Sequence, residues 1–140
     1  MVSEKTKIIA QLKSARFRIT QARSKVIEFL LKTKLPVTAS TICTVLNQRG
    51  NKFDRTTIYR ELNFLIENNF VRQVRFNGKA THFELNSGHH HHLICIKCNA
   101  KKKIVLGKHL EHHEKLILEK EKFKVISHSL EFYGICNNCI

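Results

Sequence analysis

The 140-residue chain has no tryptophan, one methionine, one proline and five glycines. No segment is low in complexity and none repeats, so flexible-tail and repeat architectures are excluded. The longest apolar run is a few residues, far below the roughly 20 that a membrane-spanning helix requires. The opening residues Met1-Val2-Ser3-Glu4-Lys5 carry no apolar core of a secretory signal. These absences lead to the expectation of a cytoplasmic protein with no membrane partner. Acidic residues are scarce, 11 Asp+Glu against 25 Lys+Arg, for a net charge of +14. Arginine is missing altogether from residues 86–140, because all eight arginines lie earlier. Residues 1–85 hold 16 Lys+Arg and 6 Asp+Glu, or +10, whereas residues 86–140 hold 9 and 5, or +4. Solvated lysines are ordinary on many surfaces. Arginine is favoured where a planar fork grips phosphates or guanine edges. Its confinement to one half points to an anionic polymer as partner.

What the second half has instead is cysteine and histidine. Cys95 and Cys98 form one Cys-x-x-Cys pair, and Cys136 and Cys139 form another. In a reducing compartment such pairs favour metal over disulfide. Each pair sets two sulfurs on one tight turn, and two pairs supply the four thiolates of a structural zinc site. The fifth cysteine, Cys43, sits among Ile42, Val45 and Leu46 and reads as a small buried hydrophobe. Just before Cys95 runs His89-His90-His91-His92. A solvated loop or a purification tag is the plain alternative, but tags sit at termini and this run is internal. Extended chain turns successive side chains to opposite faces. His89 and His91 then point one way, His90 and His92 the other, which gives two ligand pairs for two metals. His109, His112 and His113 accompany Glu111 and Glu114 on an expected helix. His128 lies among apolar residues further on and is the better ligand candidate.

Helical periodicity places a short apolar stripe at Ile8, Ile9 and Leu12. A second helix is capped by Thr20, and a third by Thr38 after Pro36. Asp54 caps a fourth, whose Ile58, Leu62, Leu65 and Ile66 share one face. Its other face presents Arg55, Thr56, Tyr59, Arg60 and Asn63. Two β-like runs, 71–76 and 79–85, flank Asn77-Gly78, the strongest short hairpin signal. Helices followed by a hairpin describe a winged helix-turn-helix over residues 1–85, with the fourth helix as the major-groove reader. Residues 86–140 read as a small α/β unit. Strands are expected at 93–96, 103–106 and 125–133, with a helix over 108–122. A unit of about 55 residues buries too little core alone. Structural zinc and dimerisation are the expected remedies, and the whole is an α+β chain of two domains.

These residues together resemble the ferric uptake regulator (Fur) family of bacterial metal-dependent repressors. The carriers are Phe17-Arg18-Ile19-Thr20-Gln21-Ala22-Arg23, Thr57-Ile58-Tyr59-Arg60-Glu61-Leu62, Phe83-Glu84-Leu85, the histidine run through Cys95-x-x-Cys98, and His128-Ser129-Leu130 through Cys136-x-x-Cys139. The resemblance implies an N-terminal winged helix, a C-terminal dimerisation domain, and near-palindromic double-stranded operators bound by a homodimer. It implies DNA contacts from Tyr59 and Arg60, with Thr56 or Thr57 nearby, and from Arg18 at the minor groove. It assigns structural Zn2+ to Cys95, Cys98, Cys136 and Cys139. Glu84, His90 and His92 match a sensor site at the hinge. His89, His91, Glu111 and His128 match a second site within the dimerisation domain, where His91 replaces the aspartate of many relatives.

Pro36 stands where iron-type members often place another sensor histidine, and proline cannot coordinate. His82, water or no replacement remain open for that ligand. The function expected is a repressor of metal-homeostasis genes, sensing Zn2+ or Fe2+, with Mn2+ also admissible. The histidine-rich set and the absent hinge histidine favour zinc. A peroxide sensor of the same family is the alternative, although such relatives use aspartates at the sensor. Zinc storage needs no segregated arginines. A zinc hydrolase or deaminase needs an open coordination position, and no His-x-Glu precedes a Pro-Cys-x-x-Cys here. Neither an enzyme nor a small-molecule substrate is therefore expected.

Overall fold

The computed structural model of the chain describes residues 2–76 and 80–140, with His109 by its backbone alone. Two compact units follow one another, Met1–Ser87 and Gly88–Ile140. In the first, α1 (Glu4–Ser14), α2 (Gln21–Thr33), α3 (Ala39–Gln48) and α4 (Arg55–Glu67) precede a hairpin of β2 (Val71–Phe76) and β3 (Ala80–Leu85). Each of these four helices begins on a side-chain cap. Ser3, Thr20, Thr38 and Asp54 accept from the backbone amides of Thr6, Arg23, Thr41 and Thr57. Each cap satisfies an amide that the first turn otherwise leaves without a helical partner.

The apolar stripes of the helices close on one core. Val26, Ile27, Ile42, Ile58, Leu62 and Leu65 are fully buried there, and Leu12 and Phe83 nearly so. Burying side chains of this size stabilises by roughly 1.5–3 kcal/mol each. Strands β2 and β3 pair antiparallel from Val71↔Leu85 to Phe76↔Ala80. The expected Asn77-Gly78 turn lies outside the described residues. The sequence reading missed a two-residue strand, β1 (Val37–Thr38), which pairs with β3 at Phe83 and His82. Two residues are too few for any periodicity to register. Thr38 also caps α3, so one residue ends a strand and begins a helix.

In the second unit, β4 (His91–Cys95) lies between β5 (Lys101–Ile104), antiparallel, and β6 (Glu131–Gly134), parallel. A parallel neighbour needs a crossover. Strand β5 and α5 (His109–Glu121) supply it. Two expectations are corrected here. The strand expected over 103–106 occupies Lys101–Ile104, and that expected over 125–133 is confined to Glu131–Gly134. Pairing with β4 begins at Glu131, opposite His92, and upstream of it the His92 amide reaches the Leu130 carbonyl at 3.5 Å. The unit's buried apolar residues are Ile94 and Cys95, a core far smaller than that of the first unit.

Candidate metal centres and nucleic-acid face

Strand β4 leads straight into the first knuckle. The Asn99 amide donates to the Cys95 carbonyl at 2.9 Å, which closes the tight turn, with Asn99 left-handed at φ 59°. The second knuckle closes in the same way, with the Ile140 amide on the Cys136 carbonyl at 3.1 Å, and the Cys139 amide shares that carbonyl at 2.9 Å. Lys97 Nζ donates across to the Cys139 carbonyl at 3.0 Å and ties the two turns together. The four sulfurs all lie within 4.8 Å of one another. Cys98 Sγ and Cys136 Sγ are 3.7 Å apart. Sulfurs held at about 2.3 Å from a tetrahedral zinc are separated by about 3.8 Å, so the donor set fits the ion in chemistry and spacing.

Electrostatics lead to the same conclusion. The Cys136 amide, donating to Cys95 Sγ at 3.4 Å, and the Cys98 amide pull the Cys95 thiol down to about 6. The sulfurs of Cys136 and Cys98 push Cys139 up to about 12. A cation among the four sulfurs would offset the repulsion that opposes ionisation of Cys139.

The histidine run alternates as extended chain requires. His90 and His92 face each other with ring centroids 5.0 Å apart. His89 and His91 pair at 4.7 Å. His128 joins this second pair, 4.5 Å from His89 and stacked on His91 at 5.6 Å. His89 Nε2 and His128 Nε2 are 3.0 Å apart. Two imidazole lone pairs cannot share that distance without a proton or a metal between them. His128 Nδ1 meets Glu114 Oε1 at 2.7 Å, a carboxylate placed to fix the ring's tautomer and orientation.

The site drawn from the sequence had Glu111 as its acidic member. The group gathered among the described residues is His89, His91 and His128, and Glu111 lies outside it. Glu111 and Glu114 are one turn apart on α5, and both border the same shallow cavity of about 230 Å³. The sequence signal for Glu114 was its i+3 spacing from Glu111, which puts both on one side of a helix.

In the first unit, Glu84 is buried on β3 and accepts Arg72 Nε at 2.7 Å from its cross-strand partner position. That ion pair, unforeseen from the sequence, fixes the carboxylate's orientation. Pro36 is buried ahead of β1. His82, the open candidate for the missing ligand, packs its ring on Phe76 at 5.2 Å and meets the Ala80 carbonyl at 3.1 Å. It belongs to no ligand group among the described residues.

Along α4 the core face carries Ile58, Glu61, Leu62 and Leu65. Arg55, Thr56, Tyr59, Arg60 and Asn63 are exposed, and Thr57 is half-buried under the Asp54 cap. Tyr59 is 47% exposed although its ring rests edge-on against Phe83 at 6.4 Å, so an aromatic is held outward among cations. Arg18 is exposed between α1 and α2.

A helical basic unit joined to a small sheet unit that gathers four thiols and paired imidazoles defines a metal-binding protein of mixed α and β structure. The profile of the ferric uptake regulator family matches residues 14–133. The ferric uptake regulation protein of Legionella pneumophila is 34% identical over 131 residues, which cover 92% of this chain and 96% of that protein. The peroxide-responsive repressor PerR of Staphylococcus epidermidis is 30% identical over 133 residues, covering 94% and 87%. Among solved structures, the ferric uptake regulator of Helicobacter pylori superposes with a TM-score of 0.79 at 21% identity, over 99% of this chain and 95% of that one. That of Francisella tularensis with iron gives 0.74 at 27% identity, over 88% and 94%. The chain belongs to the ferric uptake regulator family.

Proposed function

We propose that the protein is a homodimeric, metal-responsive repressor that binds near-palindromic double-stranded operators of metal-homeostasis genes. It works in the cytoplasm, without enzymatic chemistry. The reading is carried by the presence, in one chain, of an outward basic face on α4 and a histidine run whose rings pair on alternate sides. The N-terminal unit acts as a winged helix-turn-helix, with α3 and α4 as the helix pair and β2–β3 as the wing. Tyr59 and Arg60, with Thr56 and Thr57, read the major groove, and Arg18 enters the minor groove.

The C-terminal unit dimerises. Ten of the fourteen exposed large apolar side chains among the described residues lie in it, Phe132, Tyr133 and Ile135 among them, and a cavity of about 620 Å³ opens between Leu93 and Tyr133. So small a core needs another surface to bury that much apolar area. Cys95, Cys98, Cys136 and Cys139 hold structural zinc. His90 and His92 hold the regulatory ion with Glu84, and His89, His91 and His128 hold a second ion, with Glu111 or Glu114 as the acidic neighbour. Zinc is the favoured regulatory ion, and ferrous iron and manganese are its competitors.

The test is a gel shift on a duplex selected from a random-sequence library by the zinc-loaded protein. Chelated protein is then reloaded with zinc, ferrous iron or manganese. Cys95→Ser should dissociate or unfold the dimer. His90→Ala should stay folded and dimeric but lose most of its metal-dependent gain in affinity. Unchanged metal dependence in His90→Ala sinks the sensor assignment. The likeness to PerR supports a second reading, a peroxide sensor. Its mark is oxygen added to a ligand histidine when the iron-loaded protein meets peroxide, read by mass spectrometry.

A further inference from the structure

Arg23 is the third residue of α2, where a positive charge opposes the helix dipole and no acidic residue of the first turn offsets it. Helix formation therefore does not account for it, but its contacts do. Nε donates to Glu61 Oε2 at 2.7 Å, across 38 residues of sequence and onto α4. One terminal nitrogen donates to the Arg18 carbonyl at 2.5 Å. The guanidinium lies 3.5 Å from the centroid of Phe64, also on α4. Phe64 in turn receives Phe17 edge-on at 4.9 Å. The Arg23 and Glu61 side chains are 12% and 8% exposed, so the pair is largely withdrawn from solvent. Three faces of one planar group thus bind a carboxylate on α4, an aromatic on α4, and the backbone of the segment carrying Arg18.

That segment is also anchored at its far end, where Ile19 packs against the core and Thr20 caps α2. It leaves α1 through Arg16, left-handed at φ 62°, with the Phe17 amide on the Leu12 carbonyl and the Arg16 amide on the Lys13 carbonyl. Those bonds fix where the helix ends. They do not reach α4, whereas the contacts of Arg23 and the Phe17–Phe64 pair do.

We propose that Arg23 is a positioning residue for DNA recognition, a clamp that holds the Arg18 segment at a set distance from α4. The minor-groove and major-groove contacts then approach the duplex as one rigid frame. This rests on the reading that Arg18 and α4 both touch DNA. Phosphate and groove contacts set a protein's register on the duplex, so losing the clamp loosens Arg18 without removing it. Arginine suits the role because its fork donates in two directions at once, whereas a lysine offers one point charge.

The experiment is a double-mutant cycle on the library-selected duplex, using the full-length zinc-loaded protein. Removing Arg23 alone strands a buried carboxylate, so the principal variant is Arg23→Met/Glu61→Met, which leaves no charge buried alone. A second variant, Arg23→Lys, retains a cation for Glu61 but not the fork. Thermal melting establishes that each is folded. Arg18→Ala is expected to weaken binding by roughly tenfold in wild type, and by less than about twofold in either clamp variant. Hydroxyl-radical protection of the flanking minor groove should fade in the clamp variants, while methylation protection of major-groove guanines persists. The clamp is overturned if Arg18→Ala retains its full penalty in a folded clamp variant, or has no penalty in wild type. If zinc-loaded wild type selects no duplex, the underlying DNA-binding reading fails instead.

Discussion

Glu28 accepts Lys5 Nζ from α1 at 2.7 Å and Lys32 Nζ from its own helix at 3.0 Å. Hydrogen bonds from Lys5 and then Lys32 hold its carboxyl down at about 2, from an ordinary value of 4.5. A depressed carboxylate favours the fold where it is ionised and loses that contribution as it takes up a proton. Its share of stability is therefore complete above pH 4.5 and disappears as pH falls toward about 2. The group is exposed enough that salt and water reduce the effect, so the prediction concerns its pH window and sign. Glu28→Gln should have a lower urea midpoint than wild type above pH 4.5, and the gap should close on acidification. Both proteins are compared with metal removed by chelator, because thiolates and imidazoles take up protons as well. A gap of constant size across that range would show that Glu28 acts through packing and not through charge.

The helices of the first unit were the most legible elements, because their caps and stripes are local. Thr20, Thr38 and Asp54 each stand one residue before an apolar period of 3.6, and the structure starts a helix at each. The Cys-x-x-Cys turns and the alternation of the histidine run were legible for the same reason. Contacts closed only in three dimensions were not. Glu114 on His128, Arg72 on Glu84 and Arg23 on Glu61 join residues 14, 12 and 38 apart, and no spacing rule reaches that far. Val125, Ile126, Leu130 and Phe132 suggest a strand over 125–133, whereas pairing begins at Glu131.

The same contrast between elements predicts how the chain loses structure without metal. Helices α1 to α4 and the β2–β3 hairpin share a core of thirteen buried residues, whereas β4 to β6 bury Ile94 and Cys95. Zinc that closes two turns contributes folding energy directly to the small sheet. Chelation should therefore abolish amide exchange protection in β4, β5 and β6 while α2 and α4 keep theirs. Hydrogen exchange with and without chelator reads this directly. Equal loss in both units would place the metal's stabilisation in the chain as a whole.

At the scale of the molecule, the basic first unit and the ligand-bearing second unit must be coupled for metal to control DNA binding. If the proposed regulatory ion draws ligands from both units, binding it restricts their relative freedom. On that proposal, metal would favour the states in which two recognition helices reach successive major grooves. Coupling of this kind is reciprocal. If the regulatory metal tightens duplex binding by some factor, typically about 5–150-fold, the duplex must tighten metal binding by the same factor. The structural thiolate site lies wholly within the second unit, so its affinity should be indifferent to DNA. Chelator competition with and without the selected duplex measures both sites, and a duplex titration with and without metal supplies the other side of the cycle. All arms need one ionic strength, because phosphate neutralisation alone changes affinity steeply with salt. Matching factors at the regulatory site and none at the thiolates are expected. If DNA leaves the regulatory site's affinity unchanged while metal still promotes DNA binding, the two titrations describe different equilibria. The ion would then act on subunit assembly at the lower protein concentration of the duplex titration, and not by joining the two units.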